Sequence, residues 1–321
     1  MASAQRIDIH HHIWPPRWLE EPPDWLSGRS GEMAPTTNWD FVSKWTPSMT
    51  IDAMGKNDIA TTVTSVSSMV VHPDKPQFDA DFARECNEFG ARLAQDHKRM
   101  IGTFAMLPLP HVDESLKEIE YAGGPLKADG FKLQTSYGSK CLGDPAFDPV
   151  WDALNRRKAA VFVHPVVPEG CMKLVPDIPV ALMEYPFDTT RAISSLLFNG
   201  TLTRYPEIKF IFAHGGGTVP FLANRIGGGA RSRKEYASYM PNGIQAALSN
   251  LYFDVVSVTN KFAWASLTAF VDPSRLLYGT DIPYGTFERS THDLMEMKLS
   301  AGQLRGIERD NALAIMPSLA R

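Results

Sequence analysis

His10 and His12, two residues apart at the end of the apolar start Ile7-Asp8-Ile9, carry the first chemistry legible in this chain. On a β-strand, residues i and i+2 point to one face, so both imidazoles aim at one point while His11 aims the opposite way. Two imidazoles converging from one strand form half of a divalent-metal site. Three more candidate ligands close short apolar runs further along. Residues 159–163 lead into His164, residues 208–213 into His214, and residues 275–280 into Asp281. These runs are mostly β-branched, aromatic or leucine, which suits strands covered on both faces. Strand ends on one rim of a barrel converge on a shared pocket, so four strands each ending in a potential ligand predict a metal centre there.

Positioning such a set requires alternating strands and helices, and the sequence supplies eight cycles. The expected strands are Ile7–His12, Ala60–Val66, Ile101–Leu107, Gly130–Thr135, Ala160–His164, Lys209–His214, Leu251–Val256 and Leu276–Thr280. Helix-like stretches lie between them at Phe78–Asp96, Asp113–Ala122, Pro149–Arg157 and Pro220–Ile226, and Glu288–Lys298 follows the last strand. Phe78–Asp96 is the clearest, with apolar positions at Phe82, Cys86, Phe89 and Leu93 and a basic end at His97-Lys98-Arg99. The pattern predicts an α/β fold, a (β/α)8 TIM barrel, with all 321 residues in a single catalytic domain. One segment breaks it. From Trp14 to Pro47 the chain carries six prolines and five tryptophans, and proline interrupts both helix and strand. This long loop leaves the barrel directly after His12, which predicts a lid offering aromatic surface to a planar substrate.

Composition excludes several classes. The chain is 44% hydrophobic and 21% charged, with a formal net charge of −4, so it has no electrostatic footprint for nucleic acid or an anionic membrane. No run approaches the length needed to cross a bilayer, and the N-terminus lacks the basic-then-apolar pattern of a signal peptide. Cys86, Cys141 and Cys171 are widely spaced and odd in number, which fits reduced thiols in a cytoplasmic protein rather than a disulfide framework.

The motifs Asp8-Ile9-His10-His11-His12-Ile13-Trp14-Pro15-Pro16, Phe162-Val163-His164-Pro165, Phe212-Ala213-His214-Gly215-Gly216-Gly217 and Tyr278-Gly279-Thr280-Asp281-Ile282-Pro283 together resemble the amidohydrolase superfamily. Within it they are most similar to the aminocarboxymuconate-semialdehyde decarboxylase branch. Residues 117–122, 142–147 and 149–154 look most like the 6-methylsalicylate decarboxylases. The resemblance implies one divalent metal per chain, zinc or else manganese, held by His10, His12, His164 and Asp281. It makes His214 a catalytic acid/base beside the metal and gives Asp281 a catalytic role too. It also implies a homodimer in which Arg225 completes a neighbouring active site and binds substrate carboxylate, a task that suits the guanidinium fork. A second carboxylate-binding arginine expected in the first loop has no clean counterpart; Lys44 lies near the place.

The implied activity is non-oxidative decarboxylation of a small hydroxybenzoate-type or muconate-type acid. In one route the ring carbon bearing CO2 is protonated, by Asp281 with His214 sharing or relaying the proton; in the other, activated water adds first with His214 as base. The alternative enzyme is a metal-dependent amide or lactone hydrolase, since the same residues would activate water equally well. Many such hydrolases bridge two metals with a carboxylated lysine on the fourth strand, and Lys132 stands on that strand, though well before its end. A ligand-binding barrel with a structural metal is the non-enzymatic reading, disfavoured because structural zinc is normally closed by four ligands without a poised polar residue beside it. Gly215 to Gly217 serve as a strand-to-helix turn, leave room at the pocket rim, or do both. His11 is expected beneath a helix, His97 and His111 in solvent, His292 in a structural role, and His72 on the catalytic rim where it could touch substrate.

Overall fold

The apolar runs fold into eight parallel strands arranged in chain order as a nearly closed barrel, with helices between them. A computed structural model of the chain describes residues 6–22, 39–171, 174, 175, 178–230 and 234–320. The strands are β1 (Arg6–Ile13), β2 (Ile59–Val66), β3 (Ile101–Met106), β4 (Gly130–Gln134), β5 (Ala160–His164), β6 (Lys209–Phe212), β7 (Tyr252–Asp254) and β8 (Leu276–Leu277). A principal helix follows each: α1 (Pro47–Lys56), α2 (Pro76–Asp96), α3 (Val112–Gly123), α4 (Asp148–Arg156), α5 (Val180–Phe198), α6 (Val219–Ala230), α7 (Lys261–Thr268) and α8 (Phe287–Met295). Among the described residues no helix is long and apolar enough to cross a membrane.

The barrel closes between β1 and the chain just beyond β8. Ile9 N donates to Tyr278 O at 3.0 Å, Asp281 N to His10 O at 2.7 Å, and His12 N to Ile282 O at 3.2 Å. β1 also carries a bulge. Asp8 pairs with Thr62 and His11 with Thr64, so Ile9 and His10 together face the single residue Val63. A bulge reverses the alternation of side chains past it. Ile7 and Ile9 therefore belong to the inner core with Val63, Phe104 and Phe162, and His10 and His12 still point inward above them. Asp8 and His11 are left on the outer side of the wall, where Asp8 Oδ1 accepts the His10 N–H at 3.1 Å. Ala312, Ile315, Met316 and Leu319 from the C-terminal segment join this inner cluster, so that segment plugs the end of the barrel away from the histidines.

The structure changes the reading of the aromatic segment and adds one helix to the expected set. Among its described residues the Trp14–Pro47 segment contains two short helices, Pro16–Glu20 and Trp39–Lys44, and Pro47 begins α1. Prolines at the first helical positions cost nothing, because those N–H groups have no partner within the helix. Trp14, Trp18 and Trp45 are buried in the outer core, where Trp14 packs edge-on to Phe41 and Trp45. Trp18 Nε1 donates to Ser68 O. These three rings stabilise the segment by burial and are not offered to a ligand, Trp39 packs partly buried against the same core, and Trp25 lies outside the described residues. Helix α5 is absent from the expected helix-like stretches, and Pro186 sits in its interior. Its carbonyl accepts Thr190 Oγ1 at 2.7 Å, and the helix continues through the proline.

The Gly215–Gly217 turn is explained by packing. All three have left-handed φ, and an added Cβ would lie 2.5 Å from Val258, 2.6 Å from Phe253 and 2.1 Å from the Pro186 carbonyl oxygen, respectively. The space they leave is taken by β7, the loop after it and α5. Gly217→Ala should therefore destabilise the protein by at least about 2 kcal/mol through combined backbone strain and collision, read as a lowered midpoint in urea unfolding.

Candidate metal centre and acid/base site

His10, His12, His164 and Asp281 come together on the rim formed by the strand C-termini. One ligand atom from each lies within 4.8 Å of every other, and all four residues are buried. Only three of the ligands sit on strands. Asp281 lies four residues past β8 and His214 two past β6, each with positive φ, 58° and 54° respectively. Side chains with a Cβ rarely adopt that region, and the cost is met by the surrounding hydrogen bonds. The turn at Asp281 is tied to β1 through its N–H and by Asp8, which accepts from Thr280 N at 3.1 Å and Thr280 Oγ1 at 2.7 Å.

The Asp281 carboxylate divides its oxygens. Oδ1 lies 3.0 Å from His12 Nε2, 3.1 Å from His10 Nε2 and 4.0 Å from His164 Nε2. Oδ2 lies 3.2 Å from His214 Nε2. Two tautomers follow from the neighbours. His164 Nδ1 donates to Pro165 O at 2.9 Å, and His10 Nδ1 donates to Asp254 Oδ2 at 2.7 Å. Each leaves its Nε2 lone pair facing the cluster. His10 Nε2 is buried and, apart from the Asp281 oxygen 3.1 Å away, has no polar partner among the described residues. Three imidazoles, one carboxylate and an orphaned inward nitrogen fit a divalent first-row ion.

Electrostatics agree with a site built for a cation. Burial disfavours a charged His10, but Asp281 and Asp254 outweigh it and push its pKa up to about 10. Burial lowers His12 to about 4, against a smaller opposing pull from Asp281. His164 falls well below the ordinary value through burial and then the charges of His12 and His10. Burial would raise Asp281; the His10 charge and three imidazole contacts reverse that and hold it well below the usual carboxylate range.

Other expected residues fall as follows. His214 reaches the cluster, with its ring 5.3 Å from that of His10 and 5.6 Å from that of His164. Arg225 is exposed on α6, and among the described residues no contact joins it to the cluster. Lys44 is paired with Asp40 on the surface rather than turned to the rim. Lys132 is buried on β4 with Nζ lacking a hydrogen bond among the described residues, and burial lowers it to about 7. His11 lies beneath α1 as expected, bonded to Thr50 Oγ1 at 3.0 Å and to Asp8. His72 is engaged by Asp79 at 2.8 Å, and His111 reaches the same carboxylate at 3.1 Å. His111 is thus largely buried, not solvated, because Asp79 lies buried between the two loops and needs its donors. His97 is partly buried at the end of α2; His292 is exposed, so its expected structural role reduces to a surface contact with Asp293.

Sequence reasoning missed three residues of the site. Asp254 lies on the expected seventh strand, and a carboxylate ending the run Leu-Tyr-Phe is the same signal that singled out Asp281. Tyr185 on α5 stands 6.1 Å from the His164 ring and Tyr284 6.2 Å from the His12 ring. Burial, followed by nearby charge that includes Asp281, holds both phenols above their ordinary range, so they remain donors. Nothing in the sequence marks them, since they lie on a helix and a loop.

An eight-stranded barrel with this His/Asp ligand set at its rim defines an amidohydrolase-type protein, and the family model described as amidohydrolase matches residues 7–317. The chain belongs to that family. It is 32% identical to the 6-methylsalicylic acid decarboxylase of Penicillium expansum over 98% of this chain and 97% of that protein. It is 28% identical to the 2-amino-3-carboxymuconate-6-semialdehyde decarboxylase of Dictyostelium discoideum over 91% of this chain and 85% of that one. Among solved structures, a dihydroxybenzoic acid decarboxylase from Polaromonas sp. JS666, with bound manganese and the inhibitor 2-nitroresorcinol, superposes with a TM-score of 0.81. That comparison covers 100% of this chain and 98% of the other at 17% identity, a likeness of fold.

The raised His10 pKa carries a sign. A proton held up to about 10 stabilises the metal-free fold below about 6.5, and that stabilisation is lost as pH rises through 10. Metal must displace the same proton, so its affinity rises over the same window. Metal-free protein should therefore melt at lower temperature between pH 7 and 10, as the metal association constant climbs by up to about tenfold per pH unit in chelator competition.

Proposed function

We propose that this protein is a metal-dependent non-oxidative decarboxylase of a small aromatic carboxylic acid of the hydroxybenzoate type. The observation carrying the reading is the mononuclear His10/His12/His164/Asp281 cluster with His214 paired to the free side of its carboxylate. Full-length similarity to the two decarboxylases supports the reaction, and the 6-methylsalicylic acid enzyme supports the substrate class. The whole chain is taken as one catalytic domain.

When bound, the ion supplies positive charge that can hold a carboxylate and an adjacent ortho oxygen of the substrate. His214 and Asp281 handle the proton. Asp281 Oδ2 lies 3.2 Å from His214 Nε2 and holds the imidazole toward the cluster. His214 then delivers the proton to the ring carbon bearing the carboxylate. The bond to CO2 breaks, its electron pair restores the aromatic ring, and CO2 leaves. Tyr185 and Tyr284 flank the rings of His164 and His12, where they would wall in a flat substrate and donate to its oxygens.

The donor set supports zinc, and the manganese in the Polaromonas structure makes manganese the other candidate. Three free cysteines support a cytoplasmic location. A homodimer in which Arg225 reaches the neighbouring site is supported by its helix face. Phe221, four residues earlier on that face, is 84% exposed, and Phe262 at the start of α7 is 75% exposed.

Metal analysis should return one ion per chain, and CO2 should be released from at least one member of a hydroxybenzoate panel that includes 6-methylsalicylate. His214→Ala should keep the metal and lose about 100-fold or more in rate. No CO2 from any member of the panel would overturn the reading. Mixing His214→Ala with Arg225→Ala subunits should restore measurable turnover absent from either alone, because a mixed dimer regains one intact site; absence of rescue would remove Arg225 from the neighbouring site.

A further inference from the structure

We infer that Asp254 is a positioning residue that aims His10 at the metal and fixes the turn presenting His214, so that one carboxylate sets both halves of the site. Asp254 is fully buried at the end of β7. Its Oδ2 accepts the His10 Nδ1 proton at 2.7 Å, which leaves Nε2 as the inward-facing lone pair. Its Oδ1 accepts two backbone N–H groups, His214 at 2.8 Å and Val256 at 3.0 Å. The His214 contact matters most, because that residue has φ of 54° and its amide bond is what ties the left-handed turn to the barrel wall. A second carboxylate beside the metal could have been a ligand. Both of its oxygens are instead taken up by donors, and Asp254 is outside the four-residue metal cluster.

The geometry makes a demand that only a carboxylate meets. Donors approach it on both oxygens, an imidazole N–H on one and two amides on the other. An asparagine is isosteric, yet offers one oxygen and one NH2. Turned with its NH2 toward His10, it makes Nδ1 the acceptor and moves the ring proton to the inward Nε2; turned the other way, its NH2 meets two amide donors and buried donors are left unpaired. The substitution therefore either misplaces the His10 proton or releases the His214 turn while leaving the packing volume unchanged. Outer partners of ligating histidines characteristically change metal affinity by about tenfold to a hundredfold when removed.

The inference about His10 stands on geometry alone; the part about His214 rests on the decarboxylase reading. The experiment keeps them apart. Asp254→Asn is made in the native chain and in the His214→Ala variant, and zinc affinity is measured by chelator competition alongside CO2 release at saturating metal. Zinc affinity should fall about tenfold or more in both backgrounds. At saturating metal, kcat should fall about tenfold or more where His214 is present and by less than twofold where it is absent, a non-additive cycle that a merely structural role would not produce. Unchanged zinc affinity overturns the His10 part. Equal losses of kcat in both backgrounds overturn the His214 part, whereas absence of turnover in the native chain overturns the decarboxylase reading and leaves the zinc result valid. Should Asp254→Asn fail to fold, nitrogen NMR of the native zinc-loaded protein tests the same point: His10 should carry its proton on Nδ1, and a proton on Nε2 would overturn the assignment.

Discussion

Burying the Asp281 carboxylate is the constraint to which the rest of the molecule answers. An isolated carboxylate in a protein interior costs several kcal/mol even after relaxation, so it must be surrounded by donors or a cation. Here the donors are imidazoles from two strands, β1 and β5, and the turn after β6, and the peptide N–H of Asp281 is bonded to His10 O. The bonds that close the barrel between β1 and the end of β8 are therefore made by the same residues that build the site. Barrel closure and site assembly are one event. A barrel that failed to close would leave the carboxylate without partners.

The bulge in β1 resolves a conflict that an unbroken strand could not. A regular strand that pointed Ile7 and Ile9 into the barrel would point His10 and His12 outward. With one extra residue at Ile9 and His10, the apolar pair fills the barrel interior and the histidines reach the rim above it. Asp8 and His11, turned outward, join a second set of bonds behind the wall: Asp8 to Thr280 and His10, and His11 to Thr50, which also accepts from Trp45. The tryptophan-bearing segment thus contributes to the site from the rear, by packing and by hydrogen bonds that hold the strand carrying the ligands. Rigid support of this kind is what keeps ligands aimed when the ligand side chains themselves have rotamer freedom.

His214 and Asp281 share an unusual backbone conformation for a reason that follows from their task. A residue still in a strand alternates between inner and outer faces and cannot be turned across the barrel mouth. Leaving the ladder with positive φ lets each side chain lean over the cluster, at a cost of about 1–3 kcal/mol apiece. The following glycines admit that turn against Val258, Phe253 and Pro186, and Asp254 ties it to β7.

Much of this architecture was legible in the sequence. Eight apolar runs at barrel spacing, and polar residues closing three of them, are local patterns set by burial on both faces of a parallel strand, and a linear reading recovers such patterns. The pair His10 and His12 was legible for the same reason, because two-residue spacing is a property of one strand. Helix α5 was not, since its interior proline contradicts local propensity and only packing sustains it. Nor were the fates of Trp14, Trp18 and Trp45, because a tryptophan reads alike whether it covers a core or a ligand. The task of Asp254, and the places of Tyr185 and Tyr284, became visible only in three dimensions. Their partners lie far away in the chain, 244 residues away for Asp254 and His10. The sequence by itself determined which elements form and which side chains could bind a metal. Tertiary structure alone decided which of them meet, because convergence depends on how the barrel closes and where its strands let go.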